Sequence, residues 1–315
     1  MIVKKLFNFS IYGLEWFDND WQKVLDFCNE NGFAGVELSA SGLKDVENIK
    51  EIPQELIVGM HLAYYLDWLP LNEGLVSNIE LAEVRETYQQ QLNLAKQLEV
   101  DYVVFHASSA TPKEIFTQQF SYADREVLES VAEVINSSIK DLDLSFKLLF
   151  ENLWWSGLTL LKEEDTLDFL ERIDYEEVAL LLDTGHLMNT SLRLNNEKEA
   201  LDYIYSILEN LPQLGDLICG IHLHKSLSGS YRYQHREKIY QQFKDSDSLA
   251  EKEELVREFI TKSDQHLPFS KVAPLKLLEM LRPEYLIHEF ISDQREEFIE
   301  FLQTQDSLLV EGEQL

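Results

Sequence analysis

The chain has 315 residues, with 27 Lys plus Arg against 57 Asp plus Glu, a formal net charge of −30 and 45% hydrophobic residues. That composition supplies a large core and excludes a disordered chain. Its charge argues against a protein whose affinity comes mainly from neutralising phosphates with Lys and Arg.

Short apolar runs recur along the chain, each followed by a longer segment of helical spacing. The first, KLFNFSI at 5–11, reads as a strand and not as a signal peptide, because polar Asn8 and Ser10 interrupt it. A helix is expected after Trp16, with Asp18, Asn19 and Asp20 as candidate N-caps and Gly32 as a left-handed C-cap. FAGVEL at 33–38 and LIVGMHL at 56–62 follow as the second and third strands. Leu81, Val84, Tyr88, Leu92, Ala95 and Leu98 then recur every three to four residues, the stripe of an amphipathic helix. DYVVFH at 101–106, FKLLFE at 146–151, VALLLD at 178–183, LICGIHL at 217–223 and EYLIHEF at 284–290 complete the strands. Their nearly continuous hydrophobicity is that of parallel strands buried on both faces.

Eight strands joined by helices predict a single (β/α)8 TIM barrel domain over 1–315, since closed barrels of this kind use roughly 250 residues. An open doubly wound sheet would place a Gly-rich turn after the first strand, and SIYGLEWF has one glycine. Between the seventh and eighth strands lies a long insertion, about 227–262, whose second half, DSDSLAEKEELVREFITK, reads as a charged helix. It is either a functional element at the barrel mouth or a solvated spacer. The acidic tail, about 304–315, is expected to fray. Cys28 and Cys219 lie in apolar stretches and are too few for a disulfide scaffold, and no run reaches the roughly 18 apolar residues of a membrane span. The expectation is a cytoplasmic protein with no membrane partner.

Chemistry in a barrel occurs at the C-terminal ends of the strands. Those ends carry His61, His106, Glu151, Asp183, His222 and Glu289 in order, with His186 one helical turn after Asp183 in LLLDTGHLM. A second Asp/His pair, Asp264 and His266, follows the insertion in KSDQHLPF. Singly, each is equally a hydrogen-bonded mouth residue. Jointly, so many carboxylates around one mouth would repel one another and raise their pKa values. Divalent cations remove that penalty, and imidazole with carboxylate is a ligand set that zinc accepts.

The order of these residues resembles the xylose isomerase-like TIM barrel superfamily, and within it the endonuclease IV (class II AP endonuclease) branch. The resemblance implies two or three zinc ions. His61 and His106 would hold the first, Glu151 would bridge it to the second, and Asp183, His222 and Glu289 would complete that site. His186, Asp264 and His266 would hold the third. It further implies metal-dependent phosphodiester hydrolysis, with Glu151 as a catalytic residue that orients the attacking water while serving as a bridging ligand. Mn2+ or Mg2+ could replace zinc.

The DNA-repair members carry a basic loop after the second strand. The matching stretch, ELSASGLKD, has only Lys44, which points away from duplex DNA and towards a small or organic phosphodiester. Tyr64 falls where those nucleases have a probing tyrosine. With Tyr65, Trp68, Trp154 and Trp155 it either packs the loops or lines an aromatic pocket for a flat ligand. Lys225, Arg232 and Arg236 either hold a phosphate or are solvated. His224 is two residues past His222, so it points into the same mouth as a spare ligand or substrate contact. His288 should face outward, His235 should be solvated, and Glu37 faces the mouth as a substrate contact or as an acceptor behind a ligand. The same superfamily contains cobamide-remodelling phosphodiesterases, which this profile also resembles. The competing enzyme class is a sugar isomerase or epimerase with one Mn2+ or Mg2+ on Glu151, Asp183, His222 and Glu289. A metal-binding barrel without catalysis is a third class.

Overall fold

The computed structural model describes residues 3–41, 49–69 and 81–312. Within them eight strands form a closed parallel barrel in sequence order: β1 (Lys4–Phe9), β2 (Gly35–Ser39), β3 (Ile57–His61), β4 (Tyr102–His106), β5 (Lys147–Glu151), β6 (Val178–Asp183), β7 (Ile218–Leu223) and β8 (Tyr285–His288). β8 closes onto β1 with Leu6 opposite Ile287. Each strand falls on one of the apolar runs.

Alternation along the strands sorts side chains into two cores. Leu6, Tyr102, Val104, Leu149, Leu181, Tyr285 and Ile287 fill the barrel interior. Their neighbours Phe7, Val103, Phe105, Leu148, Phe150, Leu180 and Leu182 face the surrounding helices in the larger core. Two-sided burial is why the strands read as continuous apolar runs. The same parity points His106, Glu151, Asp183 and Glu289 inward, one or two steps above the interior layer.

The first helix, α1 (Trp21–Asn31), starts at Asp20, whose carboxylate accepts from the Gln22 amide. It ends at Gly32 with φ 70°, a backbone conformation that costs glycine little. Helix α2 (Leu81–Gln97) buries Val84, Tyr88, Leu92 and Ala95, as its spacing predicts. Around the rest of the barrel lie α3 (Pro112–Thr117), α4 (Asp124–Ile139), α5 (Glu163–Glu171), α6 (Thr184–Asn189) and α7 (Glu197–Glu209).

Two expectations need correction. The segment after β7 is a helical hairpin, α8 (Gly229–Asp245) and α9 (Leu249–Ser263), so its first half is helical too. It is no solvated spacer. Phe243, Val256 and Phe259 pack with Phe116, Trp154 and Trp155 in a separate apolar cluster. Helix α10 (Leu275–Leu281) then leads into β8. The acidic tail does not fray at Gln303 either: α11 (Arg295–Gly312) runs through it. Leu309 is buried, and the buried Gln305 amide donates to Leu223 O and His288 Nδ1 at 2.8 Å each. No helix among the described residues is long and apolar enough to cross a membrane.

Candidate metal centre

Six of the nine expected ligands, His61, His106, His186, Asp264, His266 and Glu289, line one cavity of about 1040 Å3, and Glu151, Asp183 and His222 are fully buried beside them. His61, His106 and Glu151 end β3, β4 and β5, and His106 lies directly across the ladder from Glu151. Asp183 ends β6 and caps α6, accepting from the His186 amide at 2.6 Å, so one turn of helix brings His186 back over the barrel axis. His222 pairs with Asp183 on β7, and Glu289 follows β8. Asp264 is the C-cap of α9 and His266 stands two residues on, with φ 46°. The hairpin thus carries the third pair back to the mouth, and the distance in sequence from β7 is no obstacle.

Three of the groups of donor atoms that lie within 4.8 Å of one another match the expected sites: His61, His106 and Glu151; Glu151, Asp183, His222 and Glu289; and His186, Asp264 and His266. Glu151 is fully buried and faces two sides. Its Oε2 is 3.0 Å from His61 Nε2 and 2.9 Å from His106 Nε2, while Oε1 is 3.2 Å from His222 Nδ1 and 3.2 Å from His186 Nδ1. Asp264 Oδ2 is 2.9 Å from His186 Nε2 and 2.8 Å from His266 Nε2.

The histidine tautomers fit a cation cluster. His61 Nδ1–H donates to Leu62 O at 2.9 Å and His186 Nδ1–H to Asn152 O at 2.8 Å, which leaves each Nε2 as a lone-pair donor. His222 is reversed: its Nε2–H donates to Glu37 Oε1 at 2.9 Å, leaving Nδ1 for the cluster. Glu37 in turn accepts from Tyr102 Oη at 2.8 Å, so it stands behind a ligand while also reaching the cavity lining. Glu289 Oε2 is buried, lies 3.3 Å from His222 Nδ1 and 3.5 Å from both His224 Nε2 and His266 Nδ1, and has no hydrogen-bond partner among the described residues. His266 Nδ1 is likewise orphaned. Nitrogens that surround an oxygen without aligning on it leave room for a bound water or cation.

The electrostatics agree. Burial works against every charge here, yet the imidazoles hold Glu151 and Asp264 well below the ordinary carboxylate range and lower Asp183. Burial also opposes charge on the imidazoles, but the carboxylates raise His61, His186 and His222, and push His266 up to about 9. His106 is lowered, chiefly by burial, and burial raises Glu289. Protons on imidazoles thus compensate charge that divalent cations would compensate.

Aromatic residues line the cavity. The Tyr64 ring, 55% exposed, stacks on His106 at 5.0 Å, and buried Trp154 lies 4.9 Å from His186. Tyr12, Trp16, Tyr65, Trp155, Phe290 and Phe298 continue the wall, with Val256 and Ile260 of α9. Trp68 instead packs beneath, donating to Ser108 O.

The three expected phosphate-holding cations, Lys225, Arg232 and Arg236, are all outside the cavity lining. Lys225 is held by Glu197 and Ser270 and does not line the cavity. Arg232 is buried, donating to Asn189 O and Gln118 Oε1, and its pKa is pushed down to about 10 by burial. Arg257 is the one Lys or Arg among the described lining residues. His224 is fully buried and outside the lining, so it is no substrate contact. His288 does face the helices, where burial pushes its pKa down to about 4, and His235 is exposed. Lys44 lies outside the described residues. Sequence reading missed Asn152, which holds Asp183 through N–H to Oδ1 at 2.8 Å, and Ser226, which donates to Asp264 Oδ1 at 3.0 Å.

A family model described as xylose isomerase-like TIM barrel matches residues 25–271. Among solved structures the chain is similar to endonuclease IV from Thermus thermophilus, at 17% identity over 98% of this chain and 99% of that one, with TM-score 0.58. It is also similar to a putative xylose isomerase from Rhodospirillum rubrum, at 13% over 97% and 99%, TM-score 0.61. A D-tagatose 3-epimerase-like protein gives 16% over 97% and 99%, TM-score 0.56. No curated protein is matched by the sequence. At these identities the likenesses are of fold.

Proposed function

For a chain that belongs to the xylose isomerase-like TIM barrel family, we propose a zinc-dependent phosphodiesterase that acts on an organic phosphodiester. The observation that carries this reading is Glu151, fully buried, whose two oxygens face two different pairs of imidazoles. A bridging carboxylate suits cations held close together. His61 and His106 would hold the first, Asp183, His222 and Glu289 the second, and His186, Asp264 and His266 the third. When bound, such ions supply a water activated at neutral pH and neutralise phosphoryl oxygens.

The residues of the chain do the rest. Leu62 O, Asn152 O and Glu37 fix the tautomers of three ligands. Glu151 is fully buried and engaged on both oxygens, so it aligns the cluster and is not free to shuttle a proton. Tyr64 and Trp154 offer ring faces beside the reacting centre, and the aromatic wall excludes water around a flat body. With Arg257 as the one Lys or Arg among the described lining residues and a net charge of −30, the phosphoryl group would be read at the metal cluster, and a polyanionic duplex is disfavoured. A corrinoid bearing a nucleotide loop is one organic phosphodiester of this kind.

A sugar isomerase or epimerase is the second reading, favoured by the convergence of Glu151, Asp183, His222 and Glu289 as a complete four-donor site. It leaves His61, His106, His186, Asp264 and His266 without a task. Elemental analysis of protein purified without chelator, paired with hydrolysis of bis(p-nitrophenyl) phosphate, separates the two. More than one zinc per chain and chelator-sensitive hydrolysis are expected. A single manganese with aldose–ketose interconversion would replace this reading with the second.

A further inference from the structure

His224 belongs to none of the three donor groups above, yet it is fully buried at the edge of the cluster. Its donor atom lies within 4.8 Å of those of His266 and Glu289, which would make it a tenth ligand by proximity. Ring geometry argues otherwise. The His224 and His266 rings are stacked, 4.2 Å apart at 14°, so their in-plane lone pairs run parallel and cannot converge on one ion. The other nitrogen, Nδ1, has no hydrogen-bond partner among the described residues and lies over Gly185, where a Cβ would stand 2.5 Å from it and 2.0 Å from Cε1.

What His224 does hold is Asp183. An ionised carboxylate only accepts, so Nε2–H donates to Asp183 Oδ2 at 2.9 Å. Asp183 Oδ1 is already fixed by the His186 amide, and the Asp183 backbone by Asn152. The His224 backbone is tied to Thr184, the residue between Asp183 and Gly185, through N–H to Oγ1 at 3.1 Å. We infer that His224 is a positioning residue: its Nε2–H sets the rotation of the Asp183 carboxylate and so the affinity of the second cation site, while its ring face braces His266 at the third. This rests on the reading that the cluster holds divalent cations. Gly185 is part of the device, since any side chain there would occupy the place of the ring.

Cobalt(II) titration of the metal-free chain, followed by its visible absorption, tests this without turnover. His224→Leu keeps the volume and removes the donor, whereas His224→Gln can place an amide N–H near Nε2. The Leu variant should bind the weaker cobalt at least about tenfold less tightly, in the range typical for loss of a group that orients a ligand. The Gln variant should stay within about threefold of the parent. Equal affinity in parent and Leu variant would overturn the inference. So would loss of a nitrogen-donor band in both variants, because His224 would then be a ligand. If the Leu variant does not fold, Gly185→Ala displaces the ring from the opposite side and should weaken the same cobalt; unchanged binding there refutes the role. A parent chain that takes up no cobalt would sink the metal reading itself, a result distinct from either.

Discussion

Glu197 offers the sharpest test of how the third ligand pair is held. It opens α7 and is 3% exposed. Oε1 accepts from Lys225 Nζ, Ser270 N at 3.0 Å and Ser270 Oγ at 3.1 Å; Oε2 accepts from Lys271 N at 2.7 Å and Val272 N at 2.8 Å. One carboxylate therefore clasps the chain just after His224 to the chain just after His266. In Glu197→Ala a partly buried ammonium and three amides lose their acceptor. Removing one partner of a buried, hydrogen-bonded charge pair costs about 3–5 kcal/mol. At about 2–4 °C per kcal/mol that lowers Tm by roughly 6–20 °C. Burial opposes ionisation of Glu197, but Lys225 and the backbone N–H groups outweigh it and hold its pKa below the ordinary 4.5. The clasp thus contributes fully above the unfolded carboxyl value, about 4.3, and is lost as pH falls through the lower folded value. Thermal unfolding of parent and Glu197→Gln between pH 7 and pH 3 should show a gap that is constant at neutral pH and closes in acid. A Glu197→Ala protein with the parent Tm, or a gap that widens on acidification, would refute this account.

Other outcomes follow from the same contacts. Glu151→Gln should abolish bis(p-nitrophenyl) phosphate hydrolysis, by at least about a hundredfold as a lost shared ligand implies, with the far-ultraviolet circular dichroism unchanged; retained turnover would remove Glu151 from the centre. Tyr64→Ala, at an exposed ring, should leave stability within about 0.5 kcal/mol while raising KM for aromatic phosphodiesters, and an unchanged KM would mean that the ring does not meet the substrate. Burial pushes the Cys28 thiol up to about 12 and that of Cys219 up to about 11. At pH 8 their thiolate fractions are on the order of 10⁻⁴ and 10⁻³, so neither should react promptly with Ellman's reagent until the chain unfolds. Rapid native labelling would contradict the burial of Cys28 and, at half-buried Cys219, the raised thiol pKa.

The barrel was legible because two-sided burial leaves a strong local mark. Runs such as DYVVFH and VALLLD have apolar residues at both parities, as parallel strands covered on both faces need, and eight of them without a Gly-rich first turn favour the closed sheet. Gly32 ended the first helix legibly for a similarly local reason, the left-handed backbone that follows Asn31. The hairpin was only half legible. The α9 segment carries Ser248 as N-cap, accepting from the Glu251 amide, whereas α8 has no side-chain cap and a sequence of mixed polar and aromatic residues. Its helix depends on contacts with α3 and the Trp154–Trp155 loop, which lie more than a hundred residues earlier in places and leave no trace in the local pattern.

The site divides along the same line. Ligands at strand ends are placed by parity, so His61, His106, Glu151, Asp183 and His222 could be read one after another from where each run stops. Asp264 and His266 needed the family pattern, because only the α8–α9 hairpin returns them to the mouth. Parity also contained the correction for Lys225. On β7, Ile221 and Leu223 face the helices while His222 faces the cluster, and His224 continues the inward set. Lys225 shares the parity of Leu223, so its side chain had to leave the mouth, and Glu197 meets it on that outer side. Arg232 has no strand to fix its direction. Its stem is drawn inward by helix packing, and the buried Asn189 and Gln118 oxygens that receive its guanidinium come from α6 and the end of α3. A cation on a strand can be placed by counting, whereas one on a helix is placed by partners that the surrounding residues do not name.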